Sequence, residues 1–454
     1  MHSFTRQVDP DAVDRVLAYA RKRLLMDPVP LDGPRTREEL DAAVGATITP
    51  DGLGAARALE VFEHTLAQAC LSTDHPRYLS FIPCAPTAEA AAFDVVVGAS
   101  SVYGGSWLEG SGAVWAENQT LRWIADLAGM PPGTGGAFVP GGTVGNLSAL
   151  VAARHTARRR ATVEGTGARP FRIAATDNAH SSVVSMAAVM DAEVAAVEVD
   201  ERLRMTGPAL RRTLEDHGPE TFFAVVATAG TTNFGVVDDL AGVADVCREL
   251  GVWLHVDGAY GGAGLAAPSV RPLFEGIERA DSFIVDPHKW LFAPFDCCAL
   301  LYRAPELARA AHTQQAGYLD VLTGGSDWNP ADYSIGLTRR VRGLPLWFSL
   351  AVHGTDAYVE AIEDTLGVAR FAAEEIGRRG HLEVVRDPDL SVVVFRRLGW
   401  GPADYQAWSD RLLREEHAFV CPTTFRGEVL TRFAVVNPRT TRDDVVAVLD
   451  TMGE

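Results

Sequence analysis

The sequence predicts an α/β fold with a mostly parallel sheet, and three observations lead to this prediction. Short, continuously apolar runs recur along the middle of the chain, at residues 171–175, 194–199, 222–227, 252–256, 282–285 and 299–302. Segments with helical spacing lie between several of these runs, as at residues 210–217 and 240–250. Buried strands that alternate with helices are typical of a parallel sheet covered on both faces.

The segments on either side of this region have a different pattern. Residues 10–25 are predicted to form a helix capped by Asp9 with Pro10 at its first position, and prolines then interrupt the chain up to residue 86. Further helices are expected at 119–127 and from about 145 to 160, with a Gly/Pro-rich stretch between them. Beyond about residue 345, a long helix (355–379) precedes strands at 390–395 and 430–435 and a terminal helix at 442–452. We therefore expect an N-terminal helical segment (1–82), a large α/β domain (83–345) and a smaller α+β domain (346–454).

Composition and charge exclude several functional classes. The 454 residues are 47% hydrophobic, enough for a large core, and 41 basic against 59 acidic residues give a net charge of −18. That charge argues against nucleic acid or an anionic membrane as the main partner. No apolar run approaches the ~18 residues of a membrane-spanning helix, and the first residues do not resemble a signal peptide. The six cysteines show no CxxC spacing, so we expect no metal site and a reducing, cytoplasmic location.

A carboxylate follows one of the predicted strands. The segment Leu-His-Val-Asp-Gly-Ala-Tyr-Gly-Gly (254–262) places Asp257 at the carboxyl end of a strongly apolar strand. Ligands of open α/β sheets bind at that edge, and a carboxylate buried there requires a cationic partner. Asp257 is therefore a candidate binding residue, and capping of the next turn is the alternative.

A lysine follows another predicted strand. Asp-Pro-His-Lys-Trp (286–290) comes directly after the run 282–285, and the only other lysine of the chain is Lys22. Lysine is rarely buried without a partner, and desolvation is expected to lower the pKa of Lys289, which suits Schiff-base formation. A surface lysine in a turn is the alternative.

Together, His-Val-Asp-x-Ala-Tyr and Asp-Pro-His-Lys-Trp at this separation resemble the group II amino acid decarboxylases, which depend on pyridoxal 5′-phosphate (PLP). The resemblance covers about residues 72–440 and implies PLP fold type I, the aspartate aminotransferase-like architecture. It further implies that Lys289 carries the internal aldimine. Asp257 would pair with the protonated pyridine nitrogen and so keep the ring of PLP electron-poor.

The resemblance also implies a phosphate site. Pro-Gly-Gly-Thr-Val-Gly-Asn (140–146) leads into a predicted helix, where glycines permit close approach and the first N–H groups bind an anion. Thr143 and the amides of Gly142 and Val144 are the candidates, and His288 resembles a family residue near the phosphate. Taken alone, this turn would more simply be a loop-to-helix connection.

Three further residues match family positions near the PLP ring. His180, in Asp-Asn-Ala-His-Ser-Ser (177–182), matches a histidine that stacks on the pyridine face and could reach the substrate carboxylate or the site of protonation. Thr232 matches a threonine near the ring, and satisfying the loop backbone is its alternative role. Asp238 matches an acid of the same region, and capping of the helix at 240–250 is an equally good interpretation.

The substrate side of the site rests on four residues. Phe81 and Ile82 resemble a segment that lines the family's substrate pocket, although core packing explains them equally well. Trp107 lies where the partner subunit usually enters the site. Arg432 matches a family arginine that could hold a carboxylate, and an interdomain salt bridge is the alternative. Glu109 departs from the usual pattern after Trp107 and is expected to face solvent.

One departure from the family concerns the mobile loop before the pair Arg339-Arg340. Many members carry a loop tyrosine that protonates the quinonoid carbon after CO₂ leaves. Counting back from the arginine pair puts that position at Pro330, and proline cannot donate a proton. Tyr333 falls where relatives have an aromatic residue that is not the acid, and Tyr318 is farther away. If protonation fails, O₂ can oxidise the carbanion and an aldehyde results.

The resemblance therefore implies a lyase, a PLP-dependent carboxy-lyase that converts an L-amino acid, aromatic or related, to an amine through a quinonoid intermediate. Oxidative deamination to an aldehyde after decarboxylation is the main alternative. A PLP-dependent lyase or aminotransferase that acts without loss of CO₂ is a further one. Family members form homodimers, so we expect a homodimer in which the N-terminal segment packs against the partner.

Overall fold

The computed structural model describes residues 9–167, 169–314 and 327–453, and its largest element is a seven-stranded sheet. The strands are β1 (Gly135–Val139), β2 (Arg172–Ala175), β3 (Glu193–Ala196), β4 (Phe222–Thr228), β5 (Trp253–Asp257), β6 (Ser282–Val285) and β7 (Cys298–Tyr302). They lie in the order β1-β7-β6-β5-β4-β2-β3. Within this sheet β7 runs in the opposite direction to the other six strands, which are parallel to one another. The predicted α/β class with a mostly parallel sheet is confirmed.

Helices cover both faces of this sheet. The helices up to residue 312 are α1 (Pro10–Leu24), α2 (Arg37–Val44), α3 (Ala55–Val61), α4 (Ala88–Ser100), α5 (Trp107–Leu127), α6 (Gly142–Val163), α7 (Ser182–Val189), α8 (Gly207–His217), α9 (Leu240–Leu250), α10 (Pro287–Trp290) and α11 (Pro305–His312). Residues of α6 and α7 share one hydrophobic core with Trp253 of β5, whereas residues of α8 and α9 share the other core with Leu254 and Val256. Because side chains alternate along a strand, β5 contributes to both cores, which explains why the predicted strands are continuously apolar.

A second, four-stranded antiparallel sheet follows in the chain. It contains β8 (Leu382–Val384), β9 (Val392–Arg397), β10 (Pro422–Phe425) and β11 (Glu428–Ala434), in the order β10-β11-β9-β8. The helices of this region are α12 (Leu344–His353), α13 (Thr355–Arg378), α14 (Pro402–Arg414) and α15 (Arg442–Asp450). The N-terminal segment joins this part of the molecule, because Leu79 N–H donates to the Phe419 carbonyl at 3.0 Å. The division at residues 82 and 345 stays a prediction.

Local sequence signals account for several element ends. Asp9 caps α1 as predicted, since its Oδ1 accepts from Ala12 N–H at 3.2 Å and Pro10 is the first helical residue. Strand β1 was not expected, because it lies in the Gly/Pro-rich stretch. Glycine is required there by packing: a Cβ on Gly136 would stand 1.8 Å from the Leu300 carbonyl oxygen of the neighbouring β7. The close approach of β1 to β7 therefore requires glycine at this position, and glycine is a residue that does not indicate a strand in the sequence.

The helices and the cysteines bear on the predictions about membranes and disulfides. Among the described residues, every helix is too short or too polar to span a bilayer. All six cysteines are free; Cys84, Cys247, Cys297 and Cys298 are buried, whereas Cys70 is exposed and Cys421 is half-buried. Four of the six therefore behave as small buried apolar residues.

Candidate active site

The carboxyl ends of β4, β5 and β6 open into a cavity of about 290 Å³, at the edge where open α/β sheets bind ligands. Seven of the predicted site residues line it: Gly142, Thr143, His180, Thr232, Asp257, His288 and Lys289. Asn146, Ser182 and Asp286 also line it and were not among the predicted site residues. Among the described residues, the lining does not include Val144, Asp238, Phe81, Ile82, Trp107 or Arg432.

Lys289 enters this cavity from the short helix after β6. Its Nζ lies 3.0 Å from Asp286 Oδ2, one helical turn earlier, and the side chain is 22% exposed. Burial alone would lower the pKa of Lys289, but the charge and hydrogen bond of Asp286 raise it above the ordinary value. The expected lowering of this pKa is therefore wrong, because the carboxylate that opposes it could not be placed from the sequence.

Asp257 ends β5 and is almost fully buried, with 5% of its surface exposed. Its Oδ1 accepts from Ala259 N–H at 3.0 Å and its Oδ2 from Asn146 Nδ2 at 2.9 Å. Each oxygen thus has one donor that fixes the plane of the carboxylate and a further lone pair for a ligand in the cavity. This geometry suits a carboxylate that receives a hydrogen bond from a protonated ring nitrogen.

His180 follows β2 at the mouth of the cavity and is exposed in the single chain. Its Nδ1 accepts from Ser182 N–H at 3.1 Å and lies 3.0 Å from Ser182 Oγ. Because a backbone N–H can only donate, Nδ1 carries no proton, and the neutral ring holds its proton on Nε2.

The Gly-rich turn forms the floor of the proposed phosphate site. Helix α6 begins at Gly142 without a side-chain cap, so its first N–H groups have no partner within the helix. A Cβ on Gly142 would stand 3.1 Å from Asp286 Oδ2 and 3.2 Å from the Ala259 Cβ, so a side chain there would fill the cradle. The Val144 N–H donates to the Gly141 carbonyl at 3.0 Å, and its role as a phosphate donor stays a prediction.

His288 stands beside this turn. Its Nε2 lies 3.7 Å from Asp286 Oδ2, and its Nδ1 contacts the backbone of Cys297. Burial lowers the pKa of His288, which Asp286 partly offsets. The imidazole is therefore held in place by its neighbours, with its Nε2 edge toward the residues that line the cavity.

Thr232 lines the cavity as predicted, whereas Asp238 does not. The Asp238 carboxylate accepts from Met205 N–H at 2.6 Å and Thr228 N–H at 2.7 Å, and burial raises its pKa to about 7. The alternative role as a helix cap is wrong, since the N-cap of α9 is the neighbouring Asp239, and a place close to the cofactor stays a prediction for Asp238. Asp238 instead holds the end of β4 to the chain that follows β3.

The four substrate candidates lie outside the cavity lining of this chain. Arg432 is 7% exposed, and its Nη1 donates to the Phe81 carbonyl at 3.0 Å. It makes no salt bridge within the described residues, which corrects the interdomain ion pair, and burial lowers its pKa to about 10. Ile82 packs against the main core, as the packing alternative has it. Trp107 begins α5, and its backbone N–H donates to Asn329 Oδ1 at 2.9 Å. Glu109 is exposed, as expected.

Pro330 is buried in a turn that packs beside β1 rather than in the cavity. Its neighbour Ala331 donates to the Gly105 carbonyl at 3.1 Å. The ring of Tyr333 stacks on Trp328 with centroids 4.1 Å apart, and burial raises the Tyr333 pKa to about 12. Tyr318 lies outside the described residues. Pro330 therefore does not line the cavity of this chain, and its consequence for the product stays a prediction.

The residues present fit a PLP molecule. The cavity supplies an amine on Lys289, a fixed carboxylate on Asp257 and an uncapped helix N-terminus beside a glycine cradle at Gly142. These correspond to the aldehyde, the ring nitrogen and the phosphate of the cofactor.

Comparison with known proteins agrees with this geometry. The family model described as "Pyridoxal-dependent decarboxylase conserved domain" matches residues 46–398. The chain is 29% identical over 460 residues to the aromatic-L-amino-acid decarboxylase of Bacillus atrophaeus, covering 98% of this chain and 94% of that relative. It is 32% identical to the L-2,4-diaminobutyrate decarboxylase of Rhizobium meliloti (strain 1021), covering 89% and 82%. The crystal structure of mouse CSAD superposes with a TM-score of 0.88 at 25% identity, over 98% of both chains.

Proposed function

The chain belongs to the pyridoxal-dependent decarboxylase family, and we propose that within it the protein removes the α-carboxylate of an aromatic or related L-amino acid and releases the amine. It is a carboxy-lyase with PLP as its cofactor. The residue assignment rests on one observation: Asp257 ends β5, Lys289 follows the adjacent parallel strand β6, and both side chains line the same cavity.

Each residue of the cavity has a defined task in this proposal. Bound PLP supplies an electron sink for the electron pair that remains when CO₂ leaves. Lys289 would hold the cofactor through Nζ, and the Asp286 carboxylate, 3.0 Å from Nζ, would stabilise the ammonium form of the free lysine. Asp257 would accept a hydrogen bond from the ring nitrogen of PLP and keep that nitrogen protonated. His180, which lines the cavity, would pack against the ring and offer the proton on its Nε2 to the substrate.

The substrate class rests on similarity and on one buried cation. The relatives named above act on an aromatic amino acid or on 2,4-diaminobutyrate, as their names state, and we favour the aromatic class. Arg432 is a candidate for binding an acidic group of the substrate, because it is buried without a carboxylate partner among the described residues, although it lies outside the cavity lining of this chain.

Aldehyde formation is the second candidate outcome. The sequence indicates this alternative because Pro330 stands where many relatives have a proton-donating tyrosine, but Pro330 does not line the cavity of this chain. We therefore propose the amine as the product and treat the aldehyde as an outcome that the experiment must separate.

The experiment is product analysis of the PLP-loaded protein with a panel of L-amino acids, in air and under nitrogen. The proposal predicts CO₂ and amine in equal amounts in both atmospheres. Aldehyde and peroxide that form in air and disappear under nitrogen would establish oxidative deamination instead. Transfer of the amino group to an added 2-oxo acid without CO₂ would contradict decarboxylation altogether.

A further inference from the structure

A buried chain of hydrogen bonds leads from the interior of the sheet to both residues that face the cofactor. Trp253, His255 and Asp257 alternate along β5, so their side chains point to the same face, the one covered by α6. Trp253 Nε1 donates to Ser282 Oγ at 2.8 Å, and Ser282 Oγ lies 2.9 Å from His255 Nδ1. His255 Nε2 then lies 2.8 Å from Asn146 Oδ1.

Asn146 divides this chain into two branches. Its Nδ2 donates to Asp257 Oδ2 at 2.9 Å and to Ser182 Oγ at 3.0 Å. Ser182 Oγ in turn contacts His180 Nδ1 at 3.0 Å. Asn146 is 1% exposed and Ser182 4% exposed, so water does not compete for these bonds.

The direction of the chain is fixed at Asn146. The Asp257 carboxylate can only accept, so Asn146 turns its Nδ2 toward Asp257 and its Oδ1 toward His255. Because an amide oxygen also only accepts, His255 carries its proton on Nε2 and donates it to Asn146 Oδ1. In the neutral ring Nδ1 is then an acceptor, so Ser282 Oγ donates to His255 Nδ1 while it accepts from Trp253 Nε1. Both hydrogens of the Asn146 amide remain for Asp257 and Ser182. Every donor has one acceptor, which is the arrangement that buried polar networks require.

We propose that Asn146 is a positioning residue that sets the orientation of Asp257 and, through Ser182, of His180 at the same time. The inference rests on the proposed function in that it takes these two residues to face PLP. No other common side chain could replace Asn146, because the position needs one acceptor and two donors within a single short planar group. Aspartate has the shape without the donors, and leucine has the volume without either.

Two substitutions of Asn146 test the donor and the acceptor of its amide separately. Asn146→Asp still accepts from His255 but turns a carboxylate toward Asp257. We expect PLP binding to weaken about 100-fold, with a changed visible circular dichroism of the PLP that remains bound. Asn146→Leu removes the acceptor as well. In protein labelled with ¹⁵N in its histidine rings, His255 should then move its proton from Nε2 to Nδ1, whereas in wild type and Asn146→Asp it stays on Nε2.

The matched control is Ser349→Ala. Ser349 also has a fully buried hydroxyl with two side-chain partners, Tyr358 and Thr87. It does not belong to the series of hydrogen bonds that includes Asn146. It should leave PLP affinity and dichroism unchanged. If neither Asn146 variant folds, Ser182→Ala decides, with an expected loss of PLP affinity of about fivefold and altered dichroism.

Two results would overturn the inference. One is wild-type affinity and dichroism in Asn146→Asp or, if that variant does not fold, in Ser182→Ala. The other is a wild-type His255 signal protonated on Nδ1. The nitrogen signals are read without cofactor, so they remain decisive even if Lys289 proves not to bind PLP.

Discussion

Asp286 is the residue on which the charge state of the site depends most. Its carboxylate lies 3.0 Å from Lys289 Nζ and 3.7 Å from His288 Nε2, and its Oδ1 has no hydrogen-bond partner within the described residues. A lysine attacks an aldehyde as the neutral amine, so an adjacent carboxylate that favours the ammonium form slows capture of the cofactor. The same carboxylate stabilises the lysine after it has been displaced.

Replacement of Asp286 by Asn should therefore speed the uptake of PLP. Asp286 raises the pKa of Lys289, so its loss increases the neutral fraction at every pH below that pKa. We expect capture at pH 7 to become faster than in wild type, because a larger fraction of Lys289 is then the neutral amine. The measurement is the growth of visible absorption after mixing PLP with cofactor-free protein.

Asp296→Asn provides the control for that experiment. Asp296 also lines the cavity, but it pairs with Arg342 at 2.8 Å and makes no salt bridge to Lys289 among the described residues. It should leave the rate within about twofold of wild type, as distant charges are screened. An Asp286→Asn rate equal to or below that of wild type would show that Asp286 does not control the amine.

Strand β5 places Asp257 in the cavity and a buried histidine, His255, behind it. Its alternate residues Trp253, His255 and Asp257 face α6, while Leu254 and Val256 fill the opposite core. His255 is buried without any exposed surface, and burial lowers its pKa to about 4, although Asp257 acts in the opposite direction. The strand thus holds a neutral imidazole directly behind the site.

The buried imidazole predicts a pH dependence of stability. The pKa of His255 is near 6.5 in the unfolded chain and about 4 in the folded one, so the unfolded state binds more protons between these values. Its contribution is fully present above pH 6.5 and is lost as the pH falls toward 4, by roughly 3 kcal/mol at most. His255→Phe should reduce the total fall in unfolding free energy across this window by up to that amount, as measured by urea denaturation at several pH values. Equal slopes in both proteins would refute a neutral buried His255.

The sequence predicted the elements whose signals are local. β5, β6 and α9 are continuous apolar or amphipathic runs, and the structure has them at nearly the predicted bounds. β1 escaped prediction because Gly136 is required by its close approach to Leu300. Within the site, Lys289 and Asp257 could be chosen because each ends a strand. Asn146 could not, since its role arises from a contact that only the folded sheet creates, the one with Asp257, 111 residues away. Asp286 pairs with Lys289 within one helical turn, and the local sequence alone does not show that both side chains turn toward the cavity.

At the scale of the whole molecule, the single chain leaves apolar side chains in solvent. Val13, Val16 and Leu17 form one stripe on α1 with 46–54% exposure, and no residue of α1 is buried. Val95 and Val96 of α4 and Trp115 of α5 are 40–53% exposed. Such an exposed apolar surface is typical of an interface between subunits, and it supports the expectation of a homodimer.

Sedimentation velocity tests the dimer. We expect the protein to sediment with a mass near twice the 48.7 kDa of one chain. The pair Val13→Glu and Leu17→Glu should weaken association at least tenfold, because two buried charges would face an apolar partner. Val163→Glu, at a position that is 86% exposed at the end of α6, is the control and should not change the mass. A wild-type protein that remains a monomer at micromolar concentration would contradict the proposal.

The most direct test of the central claim is to locate the lysine that binds the cofactor. The PLP-loaded protein is treated with borohydride, digested and mapped by mass spectrometry. The chain offers a clear choice, since its only lysines are Lys289 in the cavity and Lys22, which is 62% exposed and paired with Glu63. We predict a single reduced adduct on Lys289, absent from Lys289→Ala and unchanged in Lys22→Ala. An adduct on Lys22 alone, or no adduct on a protein that has taken up PLP, would contradict the account.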